Sequence, residues 1–227
     1  MTNKTSDYRK LCLSQQSELR RLLEAPAQFE AGMQLFFKQH AMLHSAKVSK
    51  TPGWSYEDDI LDDMSEAQVR RIPPGCEHSV AWLIWHSARC EDITLNRLVA
   101  GSPQVLLEQG WLERMQVPDR DTGNAMSSDE IARFSAAIDI PALRGYRAAV
   151  GRRTRQVVRA LQPCDLKQPV SAPRLQQALD EGAVLPAAHE ISDYWGSRNM
   201  VGLLLMPATR HNLVHLNEAL TIKQKRA

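Results

Sequence analysis

The sequence Met206-Pro-Ala-Thr-Arg-His-Asn-Leu-Val-His-Leu-Asn-Glu218 contains two histidines, His211 and His215, that stand four residues apart. On an α-helix this spacing places both side chains on one face, about 5–6 Å apart at Cβ. The same face continues at helical steps through Met200, Leu204, Pro207, Glu218 and Ile222. Apolar neighbours at these steps are typical of a stripe that faces a core. Because an unpaired polar group in a core costs about 1–3 kcal/mol, the two histidines need binding partners.

The composition is that of a globular protein with a sizeable core. The chain has 227 residues, of which 43% are hydrophobic and 24% are charged. A net charge of +2, from 28 basic and 26 acidic residues, gives no overall attraction to nucleic acid or to a membrane surface. The basic residues cluster between Arg144 and Arg159, which we interpret as solvated helix surface. Nucleic-acid binding through this segment is the least favoured alternative.

The termini and the cysteines indicate a cellular location. No apolar run follows the polar N-terminal residues, so we expect no signal peptide. No stretch approaches the roughly 18 apolar residues of a membrane span. The four cysteines lie far apart without a Cys-x-x-Cys pair, which favours reduced thiols over disulfides: they are Cys12, Cys76, Cys90 and Cys164. We therefore expect a soluble, cytoplasmic protein without a membrane partner.

Hydrophobic periodicity predicts a single all-α domain over residues 1–227. Residues 1–25 are predicted to form an N-terminal helical extension that ends before Pro26. The bundle core, at about 27–223, is predicted to contain four principal helices, at about 27–48, 77–100, 141–161 and 192–223. Pro207 lies inside the last helix and is expected to kink it. Because no region alternates with period two over several segments, strands are not expected.

The connections between the four helices are predicted to be long. Residues 55–76 are acidic and then rich in proline, so we expect an exposed connection with one short helix near Ser65. Ser127 and Glu130 have the spacing of a capping box and predict a helix start. Residues 163–190 contain four prolines and little periodicity. We interpret this segment as a long connection.

Five of the seven histidines lie on predicted helix stripes: His40, His44, His86, His211 and His215. Neutral imidazole binds zinc, nickel or iron readily, and three histidines with one open position are typical of a catalytic metal site. His211 and His215 can supply two ligands and His86 a third, with His40 and His44 as rival ligands. Alternatively, these are core histidines bonded to one another, to Glu91 or to Glu218. Cys90, four residues after His86, is interpreted as a buried structural thiol.

Two motifs give the chain a family resemblance. Pro73-Pro-Gly-Cys-Glu-His-Ser-Val-Ala-Trp-Leu-Ile-Trp-His-Ser-Ala-Arg-Cys-Glu-Asp92 and Arg210-His-Asn-Leu-Val-His-Leu-Asn-Glu218 resemble the DinB-like superfamily of four-helix bundles. That family has one histidine in its second bundle helix and His-x-x-x-His in its fourth, which fall here on His86, His211 and His215. The resemblance implies a DinB-like four-helix bundle in which these histidines bind a divalent metal, most often zinc or nickel, in an open site.

The resemblance also implies a class of function. Some members of the family transfer small thiols such as bacillithiol or mycothiol, or isomerise maleylpyruvate with the help of a thiol. We therefore expect a metal-dependent enzyme, a thiol-dependent S-transferase or a hydrolase, that acts on small molecules and forms a homodimer. The alternative is a non-catalytic, stress-associated helical bundle whose histidines are structural or hold a purely structural metal.

The chain departs from the family pattern in two ways. Residues 163–190 form an insertion that could cover or reshape the site. His40 and His44 are additional histidines on the first bundle helix. We predict that they are catalytic and move a proton across the cavity. The alternatives are that they contact the substrate or supply an additional metal ligand.

Overall fold

A computed structural model describes residues 3–50, 53–108 and 110–225, in which nearly all regular structure is helical. The α-helices are α1 (Asn3–Glu24), α2 (Phe29–Leu43), α3 (Ala46–Ser49), α4 (Tyr56–Leu61), α5 (Glu66–Arg70), α6 (Val80–Glu91), α7 (Val105–Glu108), α8 (Trp111–Met115), α9 (Ser128–Ala137), α10 (Ile140–Ala160), α11 (Ala172–Asp180), α12 (His189–Gly196), α13 (Met200–Leu205) and α14 (His211–Gln224). Short 3-10 turns cover Pro26–Gln28, Asp165–Lys167 and Pro186–Ala188. The described ranges contain no strand beyond one isolated bridge between Pro169 and Asn199. The predicted all-α class is confirmed.

The centre of the bundle is α6, which continues directly into a π-helical segment, Asp92–Ala100. All residues from Val80 to Val99 are buried, because α10 and α14 pack against α6 while α10, α11 and α13 pack against the segment that follows it. Gly101 ends the helix in the left-handed conformation, with φ at 70°, which glycine adopts without strain. The helix predicted over 77–100 is thus confirmed. The N-terminal helix α1 packs against α2 and α13.

Two predicted helices had wrong boundaries. The helix predicted over 27–48 ends at Leu43, because His44 is extended and the Ser45 side chain caps the separate helix α3. The helix predicted from 192 is interrupted between α12 and α13. There the Arg198 carbonyl accepts a hydrogen bond from Val170 N at 3.0 Å, so the chain pairs with the 168–170 segment before it becomes helical again.

A π-helical segment, Met206–Arg210, joins α13 to α14 and contains Pro207. The backbone N–H of His211 donates to the carbonyl of Met206, five residues back. The helix therefore accommodates Pro207 by adding a residue to one turn, an arrangement that is frequent at functional sites. His211 and His215 follow in the first two turns of α14.

The predicted connections are more ordered than expected. The prediction of an exposed connection over 55–76 was wrong. In the structure, α4 packs against α14 and α2 and buries Tyr56, Glu57, Ile60 and Leu61. The short helix near Ser65 and the capping box of Ser127 and Glu130 are both confirmed. Residues 163–190 contain α11, which packs on the π-helical segment after α6. None of the described helices is apolar over a length that would span a membrane.

The apolar core consists of two clusters with polar residues between them. On α2, residues up to Phe36 belong to one cluster and residues from Met42 to the other, and His40 lies between. Asn212 lies in the same way between Ala208 of the first cluster and Leu213 of the second. On α6, Glu91 directly follows Cys90, close to the point where the helix passes from one cluster to the other. The side chains of His40, Asn212 and Glu91 are fully buried. Arg147 of α10 is also fully buried and bonded to Asn212, so the predicted basic helix surface is not solvated throughout.

Candidate metal centre

The buried polar residues between the two apolar clusters, His40, Glu91, Arg147 and Asn212, form a polar layer. Three histidines from two neighbouring helices meet beside this layer. His86 is contributed by α6, and His211 and His215 are contributed by α14. The Nε2 atom of His211 lies 3.2 Å from Nε2 of His86 and 3.1 Å from Nε2 of His215. The ring planes of His211 and His215 are inclined by 82°, and those of His86 and His215 by 90°. The rings therefore approach one another through their nitrogen atoms without stacking.

Hydrogen bonds on the opposite ring nitrogens determine two of the tautomers. His86 Nδ1 lies 2.6 Å from the carbonyl oxygen of Thr122, and a carbonyl can only accept, so Nδ1 carries the proton. His215 Nδ1 likewise lies 3.3 Å from Glu218 Oε2. The Nε2 atoms of His86 and His215 are then bare lone pairs. Metal-binding histidines usually donate their other ring N–H to a carbonyl or a carboxylate in this way.

The three Nε2 atoms cannot all satisfy one another. His211 has a single proton to offer, and its Nδ1 is buried without a hydrogen-bond partner among the residues that the structure describes. If this proton lies on Nε2 of His211, the lone pairs of His86 and His215 compete for it. If it lies on Nδ1, the lone pairs of all three Nε2 atoms face one another. Such an arrangement is costly in a low-dielectric interior. A divalent cation placed among the three atoms would satisfy all of them, so the donor set fits a metal of the zinc or nickel type.

Electrostatics keep His86 and His211 neutral and a nearby carboxylate ionised. Burial and, to a smaller extent, His215 lower the pKa of His86 to about 3. Burial, together with His86 and His215, also holds the pKa of His211 well below its ordinary value. Burial alone would raise the pKa of Glu218, but hydrogen bonds with His215 and His78 outweigh it and lower the pKa to about 2. Neutral imidazoles can bind a metal without first losing a proton.

Cys90 offers a further donor atom next to His86 and His211. Its Sγ lies 3.9 Å from His86 Nε2, and the ligand atoms of His86, Cys90 and His211 all lie within 4.8 Å of one another. Burial raises the pKa of Cys90 to about 12, so the free thiol is protonated. A coordinated thiol, in contrast, loses its proton. The interpretation of Cys90 as a buried thiol is confirmed.

His40 and His44 lie in a different cluster, around the Glu91 carboxylate. His40 Nε2 is 3.0 Å from Glu91 Oε1, His44 Nε2 is 2.9 Å from Glu91 Oε2, and Asn212 Nδ2 donates to Oε2 at 2.9 Å. The two imidazole rings are stacked, with centroids 4.2 Å apart and planes inclined by 21°. Stacked rings that each meet a separate carboxylate oxygen are suited to donating two hydrogen bonds. Although their ligand atoms also lie within 4.8 Å of one another, this geometry favours hydrogen bonding over metal coordination.

The protonation states agree with hydrogen bonding in this second cluster. Burial would raise the pKa of Glu91, but His44 and His40 outweigh it and hold the pKa well below its ordinary value. Burial lowers the pKa of His44 to about 3 in spite of the Glu91 carboxylate. Neutral His44 can therefore donate its Nε2 proton to ionised Glu91. His40 and His44 are not among the residues that meet at the triad of His86, His211 and His215.

Sequence analysis missed two groups around this triad: Thr122, which contacts His86, and His78, which contacts Glu218 and Trp82. Thr122 acts through its backbone carbonyl, and no side-chain pattern reveals the direction of a carbonyl group. His78 precedes Ser79, the residue that caps α6, and so lies outside the predicted stripe. A signal was nevertheless present, because His78, Trp82 and His86 follow one another at steps of four.

The comparison with protein families agrees with this architecture. The family model described as DinB superfamily matches residues 53–194 of the 227, which is more than half of the chain. The match includes His86 and all of α6 and α10, and it ends before His211 and His215. None of the curated proteins matches the chain. This match covers more than half of the chain and agrees with its helical fold, so the chain belongs to the DinB superfamily.

Proposed function

We propose that this chain is a divalent-metal-dependent enzyme that acts on small electrophilic or thiol-containing molecules, as a thiol-dependent S-transferase or a hydrolase. The observation that supports it best is the approach of two imidazole Nε2 atoms, of His86 and His215, to within 3.2 and 3.1 Å of His211 Nε2, each with its own proton held on Nδ1. Zinc and nickel are the preferred ions, since both accept neutral imidazole nitrogen and both are the ions that the family resemblance implies.

The residues of the site divide into ligands and residues that orient them. Thr122 and Glu218 hold the protons of His86 and His215 on Nδ1, which leaves Nε2 free. A divalent ion at the triad would supply Lewis-acid chemistry and lower the pKa of a water or a thiol bound beside it. The side chain of His215 is 16% exposed and that of Glu218 36%, whereas His86 is only 3% exposed. We infer that substrates approach from the His215 side.

The catalytic role of His40 and His44 stays a prediction. Both side chains are fully buried and hydrogen-bonded to Glu91. Glu91 in turn binds Asn212, the residue next to His211 in the chain. By this route, we propose, His40 and His44 also serve as positioning residues, which act through the position of His211.

The position of Cys90 favours a second candidate function, a non-catalytic bundle with a structural metal. Three histidines and one thiolate would form a closed four-ligand shell, as structural zinc sites do. Cobalt(II) can report on the difference, because a thiolate ligand gives a charge-transfer band in the near ultraviolet. A band that disappears in Cys90→Ser would support the structural candidate. Absence of the band in the wild type would support the open, catalytic site.

The experiment that tests the proposed metal site is metal content per chain, in protein purified without a metal-affinity column. We expect about one equivalent in the wild type and its loss in His211→Ala and His215→Ala, since three ligands are needed for tight binding. His189→Ala is the matched control, because His189 is exposed on α12. Wild-type protein that contains no metal and takes up none on addition would contradict the proposal. Loaded protein would then be assayed for consumption of electrophiles with low-molecular-weight thiols.

A further inference from the structure

His78 is connected to the triad by two separate sets of contacts. Its Nδ1 lies 2.9 Å from Glu218 Oε1, while the other carboxylate oxygen of Glu218 lies 3.3 Å from His215 Nδ1. The His78 ring also stacks on Trp82, with centroids 4.1 Å apart and planes inclined by 13°. Trp82 stacks in turn on His86, at 4.6 Å and 7°. One set of contacts therefore reaches His215 and the other reaches His86.

We propose that His78 is a positioning residue of the metal site, which holds His215 through Glu218 and supports His86 through Trp82. This inference rests on the proposed metal site. It assigns to His78 a role that neither the helix stripe nor the motif His-x-x-x-His contains. His78 touches no reacting atom, so its effect is on the affinity of the triad for the metal.

The need for His78 follows from the exposure of Glu218. Glu218 is 36% exposed, and a side chain of this length loses considerable rotamer entropy when it is held in one conformation. Its contact with His215 is the longer of its two, so this contact alone holds it weakly. His78 shares the carboxylate at the shorter distance, and stacking on Trp82 restricts its own ring. Carboxylates that orient metal-binding histidines are usually hydrogen-bonded themselves.

If His78 had a purely local role, its loss would affect folding stability and not metal affinity. A half-exposed pair of His78 and Glu218 that acted only as a surface ion pair would contribute about 0–1 kcal/mol to folding and nothing to metal binding. A positioning role changes metal affinity even when folding is unaffected. Loss of the outer partner of a ligand typically weakens metal binding by about 10- to 100-fold.

Two substitutions separate the hydrogen bond from the stacking contact. His78→Phe keeps an aromatic ring against Trp82 but cannot donate to Glu218, whereas His78→Gln keeps a donor and loses the ring. The zinc dissociation constant would be measured by competition with a chelator, together with the thermal unfolding midpoint of each metal-free variant. We expect His78→Phe to weaken zinc binding by about 10-fold or more, within the range typical of such partners. His78→Gln should retain more of the affinity than His78→Phe does.

Two further variants complete the experiment. Glu218→Gln should also weaken zinc binding, because a neutral amide holds both histidine N–H groups less strongly than a carboxylate does. His189→Phe, at an exposed histidine remote from α6 and α14 in the chain, should leave the affinity unchanged. Wild-type affinity in His78→Phe would overturn the proposed role of His78 and leave the metal site intact. A wild-type protein that binds no zinc would instead overturn the proposed function, and this inference with it.

Discussion

At the scale of single residues, two histidine pairs with the same spacing have different geometry. His40 and His44 are stacked at 21°, whereas His211 and His215 meet at 82°. In each pair the spacing of four brings the two rings close together, with centroids 4.2 and 4.4 Å apart. It did not distinguish them, because His44 lies just beyond the end of α2 with an extended backbone and His215 lies inside α14. Ring orientation depends on local backbone and on partners that are distant in sequence.

The buried neutral histidines make stability depend on pH. Burial lowers the pKa of His44 and of His86 to about 3, from an ordinary value of 6.5 in the unfolded chain. Between these values the unfolded state binds protons that the native state excludes, so stability is complete above 6.5 and is lost as the pH falls. The lowered pKa of Glu218 acts in the same direction below its ordinary value of 4.5.

The free energy of unfolding of the metal-free protein should therefore decrease steadily from about pH 7 to about pH 4. Urea denaturation at a series of pH values measures this slope directly. A free energy that stays constant or rises over this interval would show that the histidines are not held neutral in the native state.

At the scale of elements, the start of α14 depends on Asn212. Its Nδ2 donates to Glu91 Oε2 and to the Pro207 carbonyl, both at 2.9 Å, and its Oδ1 accepts from Arg147 Nη1 at 2.9 Å. The Pro207 carbonyl is open to this bond because the His211 N–H donates to Met206 instead. The Asn212 side chain thus connects α6, α10 and the π-helical segment Met206–Arg210, and Asn212 is the residue next to His211.

Asn212→Leu should destabilise the fold by about 1–3 kcal/mol or more, since it leaves buried polar partners unpaired. It should also weaken metal binding, because His211 is the first residue of α14 and moves with the start of that helix. Asn217→Leu is the control on the same helix, where a half-buried side chain accepts one bond from Tyr56. Urea denaturation and zinc titration of both variants measure the two effects. Equal losses in the two variants would refute the special role of Asn212.

The short elements that sequence analysis missed show their apolar periodicity over only a few turns. Within α11, Ala178 is buried, and the partly buried Leu175 and Leu179 pack against the same core cluster. Polar contacts also hold the helix, such as Arg174 Nη1 donating to the Val99 carbonyl at 2.6 Å. A stripe of three residues in a segment rich in proline is a weak signal for a period of 3.6. The long helices α6 and α10 were predictable because they bury apolar residues at helical steps over many turns.

At the scale of the whole molecule, the polar layer joins segments that lie far apart in the chain. Glu91 binds His40, 51 residues earlier, and Asn212, 121 residues later. Periodicity within a helix predicts which residues face the core but not which residues meet there. Helix stripes made His86, His40 and His44 candidates to join His211 and His215, and the family resemblance selected His86 without implying a role for Glu91. The single domain over 1–227, the homodimer and the cytoplasmic location stay predictions.

A metal at the triad would tie α6 to α14 and so stabilise the native bundle. A ligand that binds only the native state adds about 2.7 kcal/mol at 100 times its dissociation constant. For a chain of this size that corresponds to a rise of about 5–10 °C in the unfolding midpoint. Calorimetry with and without zinc should show this rise in the wild type and none in His86→Ala. An equal rise in both proteins would place the stabilising ion elsewhere.

The proposed function depends above all on a metal that binds at His86, His211 and His215 and not at the second histidine cluster. Anomalous X-ray scattering from a crystal of the zinc-loaded protein, measured at the zinc absorption edge, locates the ion directly. We predict one strong peak within coordination distance, about 2.0–2.1 Å, of all three Nε2 atoms. A peak beside His40, His44 and Glu91, or no peak at any histidine, would contradict the account.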